Sequence, residues 1–151
     1  MSINPGTARV EALVRFFETL TPQSLAELPR HYAADCRFRD PFNDVCGLPA
    51  LDAIFRHMFE RLEAPRFIVR ERVCEAPRLF LTWDFEFRFR GFRPRETQRI
   101  HGSSLITFAD TGLVVVHRDY WDTAEELYEK LPLLGALLRC LKQQGRPKAP
   151  H

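Results

Sequence analysis

The first twenty residues repeat their apolar positions at helical spacing. Val10, Leu13, Val14, Phe17 and Leu20 fall on one stripe, and Thr7 stands where a helix cap is expected. Pro22 breaks the pattern. Ser24 with Glu27 three residues on reads as a capping box for a short second helix towards Tyr32, kinked at Pro29. Residues 36–42 read as a short strand with Phe38 and Asp40 on one face, Arg37 and Arg39 on the other, and Pro41 at its end. Gly47 and Pro49 then lead into a third helix. Its stripe is Leu51, Ile54, Phe55, Met58, Phe59 and Leu62.

From residue 66 the period changes to two. Phe67, Val69, Glu71 and Val73 alternate with Ile68, Arg70, Arg72 and Cys74. Over residues 79–90, Trp83, Phe85, Phe87 and Phe89 oppose Asp84, Glu86, Arg88 and Arg90. A turn at 91–94, a strand at 96–109, a tight turn at 110–112 and a last strand at 113–121 follow. Thr123 with Glu126 is a second capping box. It opens a C-terminal helix through Leu127 and Leu131 that restarts after Pro132 and fades near Gly145. The order predicts one α+β domain over residues 1–145, a curved antiparallel sheet around the N-terminal helices, with a disordered tail at 146–151.

Composition narrows the function classes. A chain of 151 residues can bury a real core without disulfides or metal. Its four cysteines form no CxxC pair, so no metal site is expected, and neither GxGxxG nor a P-loop is present, so no cofactor is expected either. No leader and no membrane-length apolar run is read, which makes a cytoplasmic protein the expectation. A net charge of +2 does not argue for nucleic acid. The arginines opposite the aromatic stripe read as a solvated or dimer-forming face, and the basic, apolar C-terminal run as a pocket-closing or subunit-packing helix rather than a membrane-surface one. Thirteen Phe, three Tyr and two Trp are a heavy aromatic load, suited to walling an apolar ligand pocket.

Three stretches carry a resemblance. YAADCRFRDPF, Gly47 with the amphipathic helix after it, and GLVVVHRDYWD together resemble the nuclear-transport-factor-2-like superfamily, most closely its SnoaL-like and limonene epoxide hydrolase-like branches. The resemblance implies a cone of curved sheet around helices, homodimers and cofactor-free chemistry on small hydrophobic molecules. Against the ketosteroid isomerases it places Asp40 at the general base, while Phe16 and Ser104 stand where the oxyanion-hole Tyr and Asp would be. That leaves the base without its usual oxyanion hole. Against the limonene epoxide hydrolases it places Asp119 at one catalytic Asp. The Arg of that relay is replaced by Thr82, and strand parity points Asp84 away from the interior.

The candidate site follows from strand faces and resemblance together. Asp40 shares a face with Phe38, and a carboxylate among aromatics suits proton transfer; the alternative is a loop or cap Asp bonded to backbone amides. His117, Asp119 and Trp121 share a face of the last strand, with Val114, Val116, Arg118 and Tyr120 on the other. Asp119 is read either as a pocket acid or as a structural partner of Arg88 or Arg99. Catalytic candidates are Asp40, Asp119 and His117. Substrate-binding candidates are Phe16, Tyr32, Phe38, Phe55, Trp83, Phe85, Phe87, Ser104, Ile106 and Trp121. The expected function is acid/base isomerisation, cyclisation, dehydration or epoxide opening on a cyclic hydrophobic molecule. The alternative is a non-catalytic ligand-binding or dimerisation module of the same fold.

Overall fold

A computed structural model describes residues 6–91 and 93–126. The expected C-terminal helix beyond Glu126 and the tail lie outside them. The described elements are α1 (Thr7–Glu18), a 3₁₀ turn (Ser24–Glu27), α2 (Leu28–His31), β1 (Tyr32–Arg39), β2 (Asp44–Cys46), α3 (Leu48–Arg61), β3 (Leu62–Glu75), β4 (Arg78–Phe89), β5 (Gln98–Phe108), β6 (Val114–Tyr120) and α4 (Thr123–Glu126). This is the expected α+β architecture. One sheet of six strands runs in the order β2-β1-β6-β5-β4-β3. β3 to β6 form an antiparallel meander, β2 pairs antiparallel with β1, and β1 runs parallel to β6. α1 and α3 lie against the inner face, and the core between them is built from Leu13, Val14, Tyr32, Leu51, Leu79, Leu81, Ile106 and their neighbours.

Local chemistry moves several boundaries. α1 begins at Thr7 itself, with Gly6 preceding it and no side-chain cap. Ser24 does not box with Glu27. It exchanges bonds with Thr21, each hydroxyl accepting the other's backbone N–H at 2.8 and 3.0 Å. β1 begins at Tyr32, four residues earlier than its pattern suggests, and stops before Asp40. Gly47 takes φ of 93°, which a residue with a Cβ adopts only under strain, and turns the chain from β2 into α3.

Two β-bulges overturn the strand parity read from sequence. In β3, Val69 pairs with Trp83 but Glu71 pairs with Thr82, so Arg70 is an extra residue. Beyond it, Arg72 and Cys74 turn inward opposite Leu81 and Leu79, and Arg72 reaches Glu11 of α1 at 2.6 Å. Glu71 and Val73 turn outward instead of following Phe67 and Val69. In β6, Phe108 pairs with Val114 and Thr107 with Val116, so Val115 is skipped. Val114 is therefore core, although simple alternation groups it with exposed Val116.

The outer sheet face carries a ladder of charge. Asp84 lies between Arg70 (2.8 Å) and His101 (2.8 Å), and Glu86 between Arg66 (3.1 Å) and Arg99 (2.6 Å). Asp84 thus faces away from the interior, as expected, yet its side chain is only 11% exposed. The hydrogen bond to His101, and then Arg70, hold its carboxyl below the usual range against the opposing effect of burial. A depressed carboxyl stabilises the fold above its unfolded value and loses that contribution as pH falls through its folded value. Asp84→Asn is therefore expected to melt lower than wild type at pH 7 and to lose part of the fall in Tm below about pH 4. Thermal melts across a pH series check it; parallel profiles for the two proteins would refute the assignment.

Candidate functional site

β4 projects Trp83, Phe85 and Phe87 inward at every second residue. Phe67 on β3 stacks on Phe85 at 4.4 Å and meets Trp83 edge-on at 5.6 Å. α3 faces this wall with Ile54, Phe55, Met58 and Arg61, the spacing of one helical face. The space between is a cavity of about 290 Å³, bordered as well by Phe38, Asp40 and Phe42 and by Asp119 and Trp121. Phe42 and Trp121 meet edge to face at 5.4 Å, so the loop after β1 and the end of β6 form one rim.

Asp119 is held from beneath by a hydrogen-bonded chain. Ser104 Oγ donates to Asp119 Oδ1 at 2.5 Å, and Trp83 Nε1 donates to Ser104 Oγ at 2.8 Å. His117 Nε2 lies 2.7 Å from the same Oδ1, and His117 Nδ1 lies 2.7 Å from the Tyr32 hydroxyl. Burial first, and the charge of Asp119 second, push the Tyr32 phenol well above its ordinary value. Tyr32 therefore keeps its proton. It can donate that proton to Nδ1, which leaves His117 Nε2–H to donate to the carboxylate. Among the described residues no donor is assigned to Asp119 Oδ2. Asp119 also borders a second void of about 20 Å³, shared with Ser104, His117 and Trp83 and large enough for one water.

Asp40 is placed differently. Its Oδ1 accepts the backbone N–H groups of Phe42 and Asn43, both at 2.7 Å, and Asn43 Nδ2 at 3.0 Å. Its Oδ2 accepts Asn43 Nδ2 at 3.1 Å. Asp40 borders the cavity, but its carboxylate folds the turn after β1, and Pro41 lies inside that turn. Asp119 pairs with no arginine among the described residues. The two arginines that sequence offered as partners, Arg88 and Arg99, bind Glu63 and Glu86.

The predicted wall residues Phe38, Phe55, Trp83, Phe85, Phe87 and Trp121 all border the large cavity, and Ser104 borders the small void. Three others stand behind it. Phe16 packs in the core against Phe17 and against His31 at 4.5 Å, and it is Phe17 that reaches the void. The two are 100° apart on α1, and the stripe already carried Phe17. Tyr32 and Ile106 are fully buried beneath the site. Phe67, Met58 and Arg61 border the cavity without having been singled out, although Phe67 and Met58 sit on the expected inward stripes.

By sequence, no curated protein matches the chain. Solved structures do. One is a protein from Jannaschia sp. CCS1 assigned as a SnoaL-like polyketide cyclase, 20% identical over 79% of this chain and 88% of that one, with a TM-score of 0.67. Another is a Mycobacterium tuberculosis epoxide hydrolase of the limonene epoxide hydrolase-like type, 12% identical over 95% and 96% of the two chains, with a TM-score of 0.65. A third is a ketosteroid isomerase-like protein from Catenulispora acidiphila in complex with trimethylamine, 13% identical over 80% and 90%, with a TM-score of 0.67. At these identities the likeness establishes the fold. A family model, the SnoaL-like domain, matches residues 13–117, from α1 to His117 in β6, and the chain belongs to that family.

Proposed function

We propose that this protein is a cofactor-independent acid/base enzyme for a cyclic, hydrophobic small molecule, with Asp119 as the proton-transferring carboxylate. One observation carries the reading. Asp119 is held on Oδ1 by Ser104 and His117, and it borders a cavity walled mainly by aromatic and aliphatic side chains. Two donors on one oxygen fix the carboxylate's orientation and leave Oδ2 for a ligand. Cyclisation and epoxide opening, the activities for which two of the structural neighbours are named, both turn on a placed proton. Asp40 serves this reading as the residue that shapes the rim.

The test needs no knowledge of the natural substrate. Nitrobenzisoxazole is a flat apolar molecule that opens when a base removes its ring C–H. The proton goes to the base, the C–H electron pair becomes part of a nitrile, the N–O bond breaks, and its oxygen remains on the same ring as a coloured phenolate. Saturable turnover, well above that given by equimolar acetate, is the expected result. Turnover no better than acetate, together with Trp emission that no cyclic ligand alters, would sink the proposal.

The outer face favours self-association as well. Val73, Phe80, Val116 and Tyr120 are 64%, 40%, 41% and 43% exposed there, and Phe80 pairs in register with Leu105. Apolar side chains gathered on one sheet face suit a two-fold pairing, in which the same patch meets itself. Light scattering at micromolar concentration is expected to give a dimer mass that Phe80→Asp converts to a monomer mass. A monomeric wild type would overturn the pairing.

A further inference from the structure

The geometry points to a ligand that carries a negative charge on an elongated apolar body, with Arg61 as the residue that selects it. This rests on the cavity reading above and adds the substrate's polar end. Four polar side chains border the large cavity: Asp40, His57, Arg61 and Asp119. Asp40 is saturated by the Asn43 turn and Asp119 is tied to Ser104 and His117. His57 lies 4.0 Å from Glu60. Arg61 closes α3 and has no hydrogen bond or ion pair among the described residues. Elsewhere on the inner and outer faces, acidic partners cover Arg66, Arg70, Arg72 and Arg88. A guanidinium left unpaired beside an aromatic cavity is a fork of donors that a carboxylate, sulfonate or phenolate fits.

Its position sets a length. Arg61 adjoins Leu62, which opens β3 opposite Phe89, whereas Asp119 lies on β6. Three strand spacings separate β3 from β6 in the order β6-β5-β4-β3, about 14 Å along the sheet. The Arg61 and Asp119 side chains reach into that span and shorten it, so a molecule with its acidic group at Arg61 and its reacting carbon at Asp119 is about two to three fused rings long, or one ring with a short chain. The aromatic wall of β4 lies between the two ends.

The experiment uses pyrenebutyrate and its methyl ester, read by energy transfer from Trp83 and Trp121 to pyrene. Wild type is expected to bind the acid about fivefold more tightly than the ester at low salt, a preference of the size an accessible ion pair supplies. Arg61→Gln should abolish the preference, so that acid and ester bind alike, Arg61→Lys should keep part of it, and added salt should erode it in wild type and in Arg61→Lys but have no preference to erode in Arg61→Gln. Equal binding of acid and ester by wild type, or a preference that survives in Arg61→Gln, would overturn the inference and leave the cavity reading standing. If neither compound draws energy from the tryptophans, the cavity reading fails and the inference with it.

Discussion

Asp119→Asn is expected to lower nitrobenzisoxazole turnover by about 100-fold or more, within the range a positioned general base contributes. The amide has the carboxylate's shape. Its oxygen can still accept Ser104 and His117 on the Oδ1 side, while the basic oxygen facing the cavity becomes an NH₂ group. Melting temperature and KM should therefore change little while kcat collapses. Tyr32→Phe provides the graded comparison. It keeps the buried ring and removes the hydroxyl 2.7 Å from His117 Nδ1, freeing His117 to turn or change tautomer. About a tenfold loss in kcat at constant KM is expected if His117 positions the carboxylate. Asp40→Ala should act on stability first, at about 1–3 kcal/mol, because it strips the bonds to Phe42 and Asn43. Should Asp40→Ala abolish turnover while Asp119→Asn leaves it intact, the roles assigned to the two carboxylates are reversed.

Gly102→Ala is expected to cost about 2–3 kcal/mol, the range for overpacking a filled interior. A Cβ at this position on β5 would stand 2.4 Å from Trp83 Cη2 and 2.7 Å from Cζ2, far inside contact distance. The indole has little room to yield. Its Nε1 is bonded to Ser104 at 2.8 Å and its ring packs T-shaped against Phe67. For a protein of this size the loss corresponds to roughly 5–10 °C in Tm. The indole's displacement should also shift its emission, since it forms the cavity wall beside Asp119. Trp83→Phe in the same chain removes the clashing ring and should restore part of the lost stability. A Gly102→Ala protein that melts within about a degree of wild type would mean that the backbone of β5 gives way freely.

The periodicities were enough to read the meander, α1, α3 and the inward aromatic stripe of β4, because each depends on neighbours within a few residues. The bulges at Arg70 and Val115 were not readable. A bulge is a relation between two strands, and nothing in residues 66–75 alone says that Arg70 is skipped by β4. The pairing of β1 with β6 was hidden for the same reason, since parallel neighbours share no turn. In the site, the shared face of His117 and Asp119 was legible by period two. Asp40 was legible as a cavity residue but not in its bonding, because Asp-Pro-x-Asn supports both an extended inward residue and a side-chain-capped turn. Asn43, three residues on, was the signal for the turn. Tyr32 could not be recognised as a partner of His117 without knowing that β1 and β6 are neighbours.

That parallel pairing also bears on how the molecule is made. β1 is synthesised early and β6 last among the strands, and Arg39 sits in register with Arg118. The next residues along the chain are Asp40, just past the end of β1, and Asp119 on β6. Contacts this distant in sequence close a large loop and are slow to form. The hairpins from β3 to β5 can zip up locally, yet β1 and β2 have no place in the sheet until β6 docks. Assembly of the carboxylate end of the cavity is therefore coupled to the closing event of folding, and a chain still lacking its last strand holds neither a finished sheet nor a working site.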